Sequence, residues 1–150
     1  MSGTESDPYD LARFLIAQAT SYIAALAELR SGLKRSHWMW FVFPQCAGLG
    51  FSPRSVRFAI RSRAEAIAYL AHPVLGRRLH DAFEAAMFAN NRSAYEILGS
   101  PDDMKLQSCA TLFDAIEPGS VFDRALERFF EGTRDARTVA WLKRSSATSV

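Results

Sequence analysis

The stretch HWMWFVFPQCAGLGFSPRS, residues 37–55, joins an uninterrupted run of six apolar residues, five of them large aromatic or Met side chains, to an irregular turn that contains two glycines. The run itself, residues 38–43, is far shorter than the roughly 20 apolar residues of a membrane-spanning helix. A buried aromatic side chain removes about 150–250 Å² from water, so we expect this run to form a short, buried helix at the centre of the fold. Each buried indole N–H needs an acceptor, and His37 and Gln45 flank the run as candidates.

The composition is that of one globular domain. The chain has 150 residues, of which 49% are hydrophobic and 23% charged, and its formal net charge is +2. This small charge argues against a nucleic-acid or membrane partner. Cys46 and Cys109 lack the spacing of a zinc site or a redox motif, so we expect buried free thiols, no metal and no cofactor. The acidic N-terminus does not resemble a signal peptide, which favours a cytoplasmic protein.

Helical signals recur along almost the whole sequence. Asp7 and Pro8 can begin a helix whose apolar residues then recur at three- and four-residue steps as far as Gly32. Ser62–Glu65 and Ser93–Glu96 have the spacing of capping boxes, and no segment alternates in the manner of a strand. We therefore predict an all-α, single compact domain of about seven helices with a central aromatic-rich helix. Its ordered core is expected at about residues 7–143, with a flexible tail at 144–150.

The turn after the aromatic run has features of an anion site. Glycines at positions 48 and 50 allow backbone to approach a ligand, and Ser52 with Pro53 can begin a helix whose free amides attract negative charge. Lys34 and Arg54 lie on either side. Cations beside a flat aromatic wall suit a nucleotide, although the glycine spacing matches neither a Walker A nor a dinucleotide motif. The alternative is that this stretch serves only the core and the helix ends.

A second candidate region begins at Pro101. On a helix that starts there, Asp102, Lys105 and Ser108 share one face. Lys105 could bind an anion or act as a Schiff-base nucleophile, with Asp102 or Asp103 as a proton acceptor or a ligand of a ribose hydroxyl, provided that the amine is desolvated or has a cationic neighbour. The alternative is a capped helix with an exposed Asp–Lys pair of a few tenths of a kcal/mol. Whether the protein is an enzyme stays open.

Three segments together resemble a known family. They are HWMWFVFPQCAGLGFSPRS, AIRSRAEAIAYLAHPVLGRRL and GSPDDMKLQSCATLF, and they resemble the bacterial family called domain of unknown function 1810, some members of which carry a misleading calpastatin label. The resemblance implies a mainly helical fold and no established activity. Some relatives are joined to macrodomains, which bind ADP-ribose, so it also hints at NAD or ADP-ribose chemistry. The family usually has Ser-Ser-Met-Thr where this chain has residues 108–111, SCAT, which weakens any role for a second hydroxyl.

Two functions are therefore carried forward. One is a binding site for a nucleotide or ADP-ribose-like small molecule; the other is a non-enzymatic interaction or scaffold domain, and the adjacent Phe129 and Phe130 are compatible with a homo-oligomer. A binding site predicts that His37, Gln45 and Lys105 converge on an open cavity, whereas a scaffold predicts that each is bonded to backbone or to an indole. The ligand-binding candidates are Lys34, His37, Trp38, Trp40, Gln45, Arg54 and Ser108.

Overall fold

A computed structural model describes residues 6–89 and 91–148, and within them the chain forms ten helices and no strand. The all-α prediction is confirmed, as is the single compact domain, but the helix count is higher than the expected seven. The helices are α1 (Ala12–Ala19), α2 (Tyr22–Ser31), α3 (Met39–Val42), α4 (Pro53–Arg57), α5 (Arg63–Ala71), α6 (Leu75–Phe88), α7 (Ala94–Leu98), α8 (Asp102–Ile116), α9 (Val121–Phe130) and α10 (Ala136–Thr148).

The predicted first helix is divided in two, which accounts for part of the difference. The break falls at Thr20 and Ser21, and the Ser21 amide bonds the carbonyl of Gln18 rather than continuing the helical ladder. Hydroxyl residues favour helix ends over helix interiors. The chain also enters α1 later than predicted: Asp7 lies in a preceding turn, where its carboxylate accepts the amides of Leu11 and Ala12.

Helices α6 and α8 form the middle of the domain. Helix α6 packs against α2, α5 and α9, while α8 packs against α5, α7, α9 and α10. Aromatic rings meet edge to face around α6. The ring centroid of Phe83 on α6 lies 4.9 Å from that of Phe43, which follows α3, and 5.2 Å from that of Phe122 on α9. This is a favourable arrangement for aromatic pairs.

The aromatic stretch belongs to this core, as predicted. Helix α3 is only one turn long, yet Trp38, Met39, Phe41, Val42 and Phe43 are all buried. Trp40 is the exception in the run, because it is half-buried and faces the surface. A single turn therefore places five apolar side chains in the core and leaves one ring at the edge of a cavity.

The two predicted capping boxes have different outcomes. The box of Ser93 and Glu96 is complete, with both reciprocal hydrogen bonds formed. In the other, Ser62 accepts the Glu65 amide, but the Glu65 carboxylate bonds the amide of Arg61 instead of that of Ser62. Glu65 is drawn away because its second oxygen pairs with Arg13 at 2.7 Å in the interior. A buried carboxylate must be paired, so the ion pair with Arg13 is formed and the hydrogen bond to the Ser62 amide is not.

Other local predictions can be checked directly. His72 caps the next helix, since its Nδ1 accepts the amides of Val74 and Leu75. Cys46 and Cys109 are free and buried. Helix α10 continues to Thr148, so 144–148 are helical where a tail was expected; 149 and 150 lie outside the described residues. Over the residues described, no helix combines the length and apolar character that crossing a membrane requires.

Candidate functional site: a cationic cavity beside Trp40

The segment before the aromatic run is held by one carboxylate. Glu28 of α2 accepts hydrogen bonds from the amides of Arg35 and Ser36, from the Ser36 hydroxyl and, at 2.8 Å, from the Trp38 indole. Burial alone would raise the pKa of Glu28, but these four donors together lower it from 4.5 to about 2. The predicted indole acceptors, His37 and Gln45, are therefore replaced by Glu28, a residue that lies ten positions away in sequence.

The turn after the aromatic run is fixed at its start. Cys46 and Ile60 form an isolated bridge, in which the Ile60 amide donates to the carbonyl of Gln45 and the Ala47 amide donates to that of Ile60. Between these anchors the backbone turns at Gly48, whose φ of +94° is a conformation that other residues rarely adopt. The turn therefore presents a defined edge to whatever lies against it.

Five predicted residues lie together near the start of helix α8, and three of them are joined by ion pairs. Asp102 lies between two lysines, with one carboxylate oxygen 3.1 Å from Lys34 Nζ and the other 3.5 Å from Lys105 Nζ. Lys105 also lies against the Trp40 ring, 5.3 Å from its centroid, and the guanidinium of Arg54 lies 4.9 Å from the same centroid. The structure thus brings Lys34, Arg54, Asp102, Lys105 and Trp40 into one cluster.

A cavity of about 200 Å³ opens beside this cluster, and we call it the Lys105 cavity. Gln45 lines it, and in the described part of the chain its side-chain amide has no hydrogen-bond partner. Arg137 of α10 reaches the same cavity and pairs only loosely with Asp135, at 3.9 Å. The cavity is lined by Gln45, Leu49, Gly50, Ser55, Pro101, Met104, Lys105 and Arg137.

Of the seven ligand candidates, only Gln45 lines this cavity; Lys34, Trp40 and Arg54 lie in the cluster beside it, and the other three belong to neither. His37 is exposed, and Trp38 is 1% accessible and cannot stack on a ligand. Ser108 is also 1% accessible, and its hydroxyl lies 3.2 Å from the Met104 carbonyl and 3.1 Å from the Asp135 carboxylate. The helix after Ser52 is only five residues long, so its dipole offers little to an anion.

The arrangement favours binding over covalent catalysis. A reactive lysine needs a desolvated site or a cationic neighbour, whereas the Lys105 amine lies 3.5 Å from the carboxylate of Asp102. Burial raises the pKa of the Cys46 thiol to about 11, although a hydrogen bond with Thr138 acts in the opposite direction, so this thiol is a poor nucleophile. No cluster of three metal-ligating side chains occurs in the part of the chain that the structure describes.

Sequence reasoning missed several residues of the site. Arg137 lines the Lys105 cavity but belongs to no motif, Met104 was noted only as part of a family segment, and Glu28 was not considered. One signal was present for Arg137. Together with Trp141 and Arg144 it follows the spacing of four and seven residues that marks one helical face.

The class that these observations define is a single-domain, all-helical protein with a cationic cavity at the edge of an aromatic core. The chain belongs to the family described as Protein of unknown function (DUF1810), whose model matches residues 8–142. It is similar to the conserved hypothetical protein Rv1873 from Mycobacterium tuberculosis, whose crystal structure shares 50% identity with it at a TM-score of 0.86. That similarity covers 91% of this chain and 99% of the other. No curated protein matches the chain significantly.

Proposed function

We propose that this protein binds a small phosphate-bearing molecule, of nucleotide type, in the Lys105 cavity. One observation carries the proposal: in the described residues, every charged side chain that lines this cavity is positive. Protein surfaces normally interleave the two signs, so a cavity lined by Lys105 and Arg137 without a carboxylate is suited to an anion. The neutral donors Gln45 and Ser55 lie beside them, as a polar ligand requires.

The charge balance around the cavity supports the same conclusion. Four cations, Lys34, Arg54, Lys105 and Arg137, are in contact with only two carboxylates, Asp102 and Asp135, so two positive charges are in excess. The Lys105 side chain is only 22% exposed, and water screens such a partly buried charge less than a fully exposed one. An incoming phosphate would supply the missing negative charge.

Another opening in the molecule provides a contrast. A groove of about 440 Å³ between α5, α8 and α10 is larger, but its Arg134 already pairs with Asp114 and Asp123 at 2.9 Å each. Its Lys143 is exposed. That groove contains none of the predicted ligand residues, so Lys143 serves as a matched control position.

The test is a thermal-shift panel with AMP, ADP, ATP and inorganic pyrophosphate. A ligand at 100 times its Kd stabilises a fold by about 2.7 kcal/mol, which raises Tm by about 2–8 °C for domains near this size. Lys105→Gln should weaken binding about tenfold, because it removes one charge-assisted hydrogen bond, and Lys143→Gln should leave binding unchanged. No shift with any of the four compounds, or an equal loss in both variants, would refute the proposal.

A scaffold role is favoured by one separate observation. Phe51 and Val56 lie next to the cavity and are 88% and 61% exposed, and exposed apolar residues of this size can contact a protein partner. Phe129 and Phe130 are less suited to a dimer contact than expected, since both are half-buried against the core. Size-exclusion chromatography with light scattering on Phe51→Ser would show whether this pair supports self-association.

The cellular setting is part of the proposal. We place the protein in the cytoplasm of a bacterium, because its two thiols are buried and unpaired and the similar structure comes from a bacterium. Free cysteines are typical of a reducing compartment.

A further inference from the structure

A second cavity adjoins the Lys105 cavity and shares two of its residues. It has a volume of about 260 Å³ and lies between the turn at residues 47–49 and helix α10. Leu49 and Arg137 line both cavities, so the two meet at these side chains. We call the second one the Trp141 cavity, because the half-buried Trp141 supplies its aromatic surface.

The volumes of the two neighbouring cavities are compatible with one ligand that spans both. Ligand sites typically measure roughly 300–1,000 Å³, and neither 200 Å³ nor 260 Å³ reaches that range alone. Joined at Leu49 and Arg137 they do. The resulting trough follows one face of α10, where Arg137 and Arg144 are separated by seven residues, or about 10 Å of helix.

Charge is arranged along the trough in a particular order. Lys105 lies in one cavity, Arg144 lines the other, and Arg137 stands at the junction. Of the described residues that line either cavity, none is an aspartate or a glutamate. Apolar surface is present at both ends, from Met104 in the Lys105 cavity and from Trp141 in the other. Because Arg137 is the cation that lines both cavities, with Lys105 and Arg144 on either side of it, a ligand that spans the two has its anionic group in the middle and its less polar groups against Met104 and Trp141.

We infer that the ligand is a two-headed diphosphate, in which a nucleoside and a second sugar or nucleoside are joined through the diphosphate. This inference rests on the proposed function and names the ligand class of the same site. The diphosphate lies at Arg137, one end enters the Lys105 cavity, and the other lies on Trp141. Gly48 and Ala140 form the small-residue walls of the Trp141 cavity, and each leaves room for the second end.

Ala140 makes a sharp test possible. It is exposed and lies on a helix, so Ala140→Leu should fold normally while filling the Trp141 cavity. Isothermal titration would compare AMP, ADP, UDP-glucose and NAD on the wild-type protein and on this variant. At least one of the two-headed compounds should bind the wild type about tenfold more tightly than ADP, since stacking on an aromatic ring contributes about this factor. Ala140→Leu should remove that advantage and leave the Kd of ADP unchanged.

The outcomes separate this inference from the proposed function. The two-headed ligand is refuted, while the anion site stands, if ADP binds the wild type at least as tightly as UDP-glucose and NAD do. The same holds if Ala140→Leu weakens the binding of ADP as much as it weakens the binding of UDP-glucose and NAD. If none of the four binds, both proposals fail together. Trp141→Leu keeps an apolar side chain in place and supplies a second test. It should weaken the two-headed compound that showed the advantage, without changing the Kd of ADP; equal weakening of both would contradict the assignment.

Discussion

Arg13 and Lys105 are both cations beside the aromatic core, but they differ in how fully their N–H donors are bonded within the protein. Arg13 is 3% exposed, and its guanidinium donates to the carbonyls of Tyr9, Asp10, Arg57 and Ala59 and to the carboxylate of Glu65. Lys105 has a single ion pair at 3.5 Å and a ring contact, and it lines an open cavity.

The difference separates a cation that the fold uses completely from one that keeps hydrogen-bonding capacity. A buried charge must be fully paired or the protein is destabilised, and Arg13 meets that condition by joining α1 to the start of α5. Among the described residues, Asp102 is the carboxylate paired with Lys105, and Lys34 shares it. The Lys105 ammonium therefore keeps donors that a ligand can use.

The largest effect is expected at Arg13. Arg13→Met removes all five hydrogen bonds and deprives Glu65, whose side chain is 1% exposed, of its buried partner, leaving Arg61 at 3.5 Å as its cationic neighbour. Breaking such a pair costs about 3–5 kcal/mol, to be measured as the loss in free energy of unfolding by urea denaturation. Replacing both partners, Arg13→Met with Glu65→Leu, should recover part of the loss. A loss below about 1 kcal/mol, the range of surface ion pairs, would contradict the structural role.

A smaller loss is expected at Glu28. Glu28→Gln should cost about 2 kcal/mol at pH 7, the value typical of hydrogen bonds to a charged group. The pKa of Glu28 is lowered by folding, so its contribution is complete above pH 4.5 and is lost as the pH falls towards about 2. Urea denaturation of both proteins between pH 7 and pH 2 checks this. The difference in stability should shrink below pH 4.5, and a constant difference would show that the charge is unimportant.

The smallest effect is expected at Asp102, where the substitution should strengthen ligand binding rather than destabilise the fold. Asp102→Asn removes the counter-ion shared by Lys34 and Lys105 and should tighten ADP binding about threefold, or about 0.7 kcal/mol. Asp103→Asn is the matched control, because Asp103 accepts only the amide of Met104. Titration calorimetry at low salt would measure both. Weaker binding by Asp102→Asn would mean that Asp102 itself contacts the ligand or positions Lys105.

The sequence was sufficient where a structural feature is local. The complete box at Ser93, the cap made by His72 and the buried aromatic run each follow from residues within a few positions of one another. Where distant groups compete, prediction failed: Glu65 is redirected by Arg13, 52 residues earlier, and the Trp38 indole bonds Glu28.

The candidate site was predicted only in part for the same reason. Lys105 and Asp102 lie one helical turn apart, so their pairing could be read from spacing, whereas the contacts of Asp102 with Lys34 and of Arg54 with Trp40 depend on how the helices pack. Arg137 comes from a helix that carried no motif. The spacing of Arg137, Trp141 and Arg144 indicates one helical face, but the contact of that face with the cavity follows from tertiary structure.

Amide chemical shifts in a ¹H–¹⁵N NMR titration with ADP would show whether the Lys105 cavity binds a phosphate-bearing molecule. We expect the largest changes at the residues that line the cavity, among them Gly50, Ser55, Lys105 and Arg137. Changes concentrated at Arg63, Asp114 and Lys143, which line the other groove, would contradict it, as would a spectrum that ADP leaves unchanged.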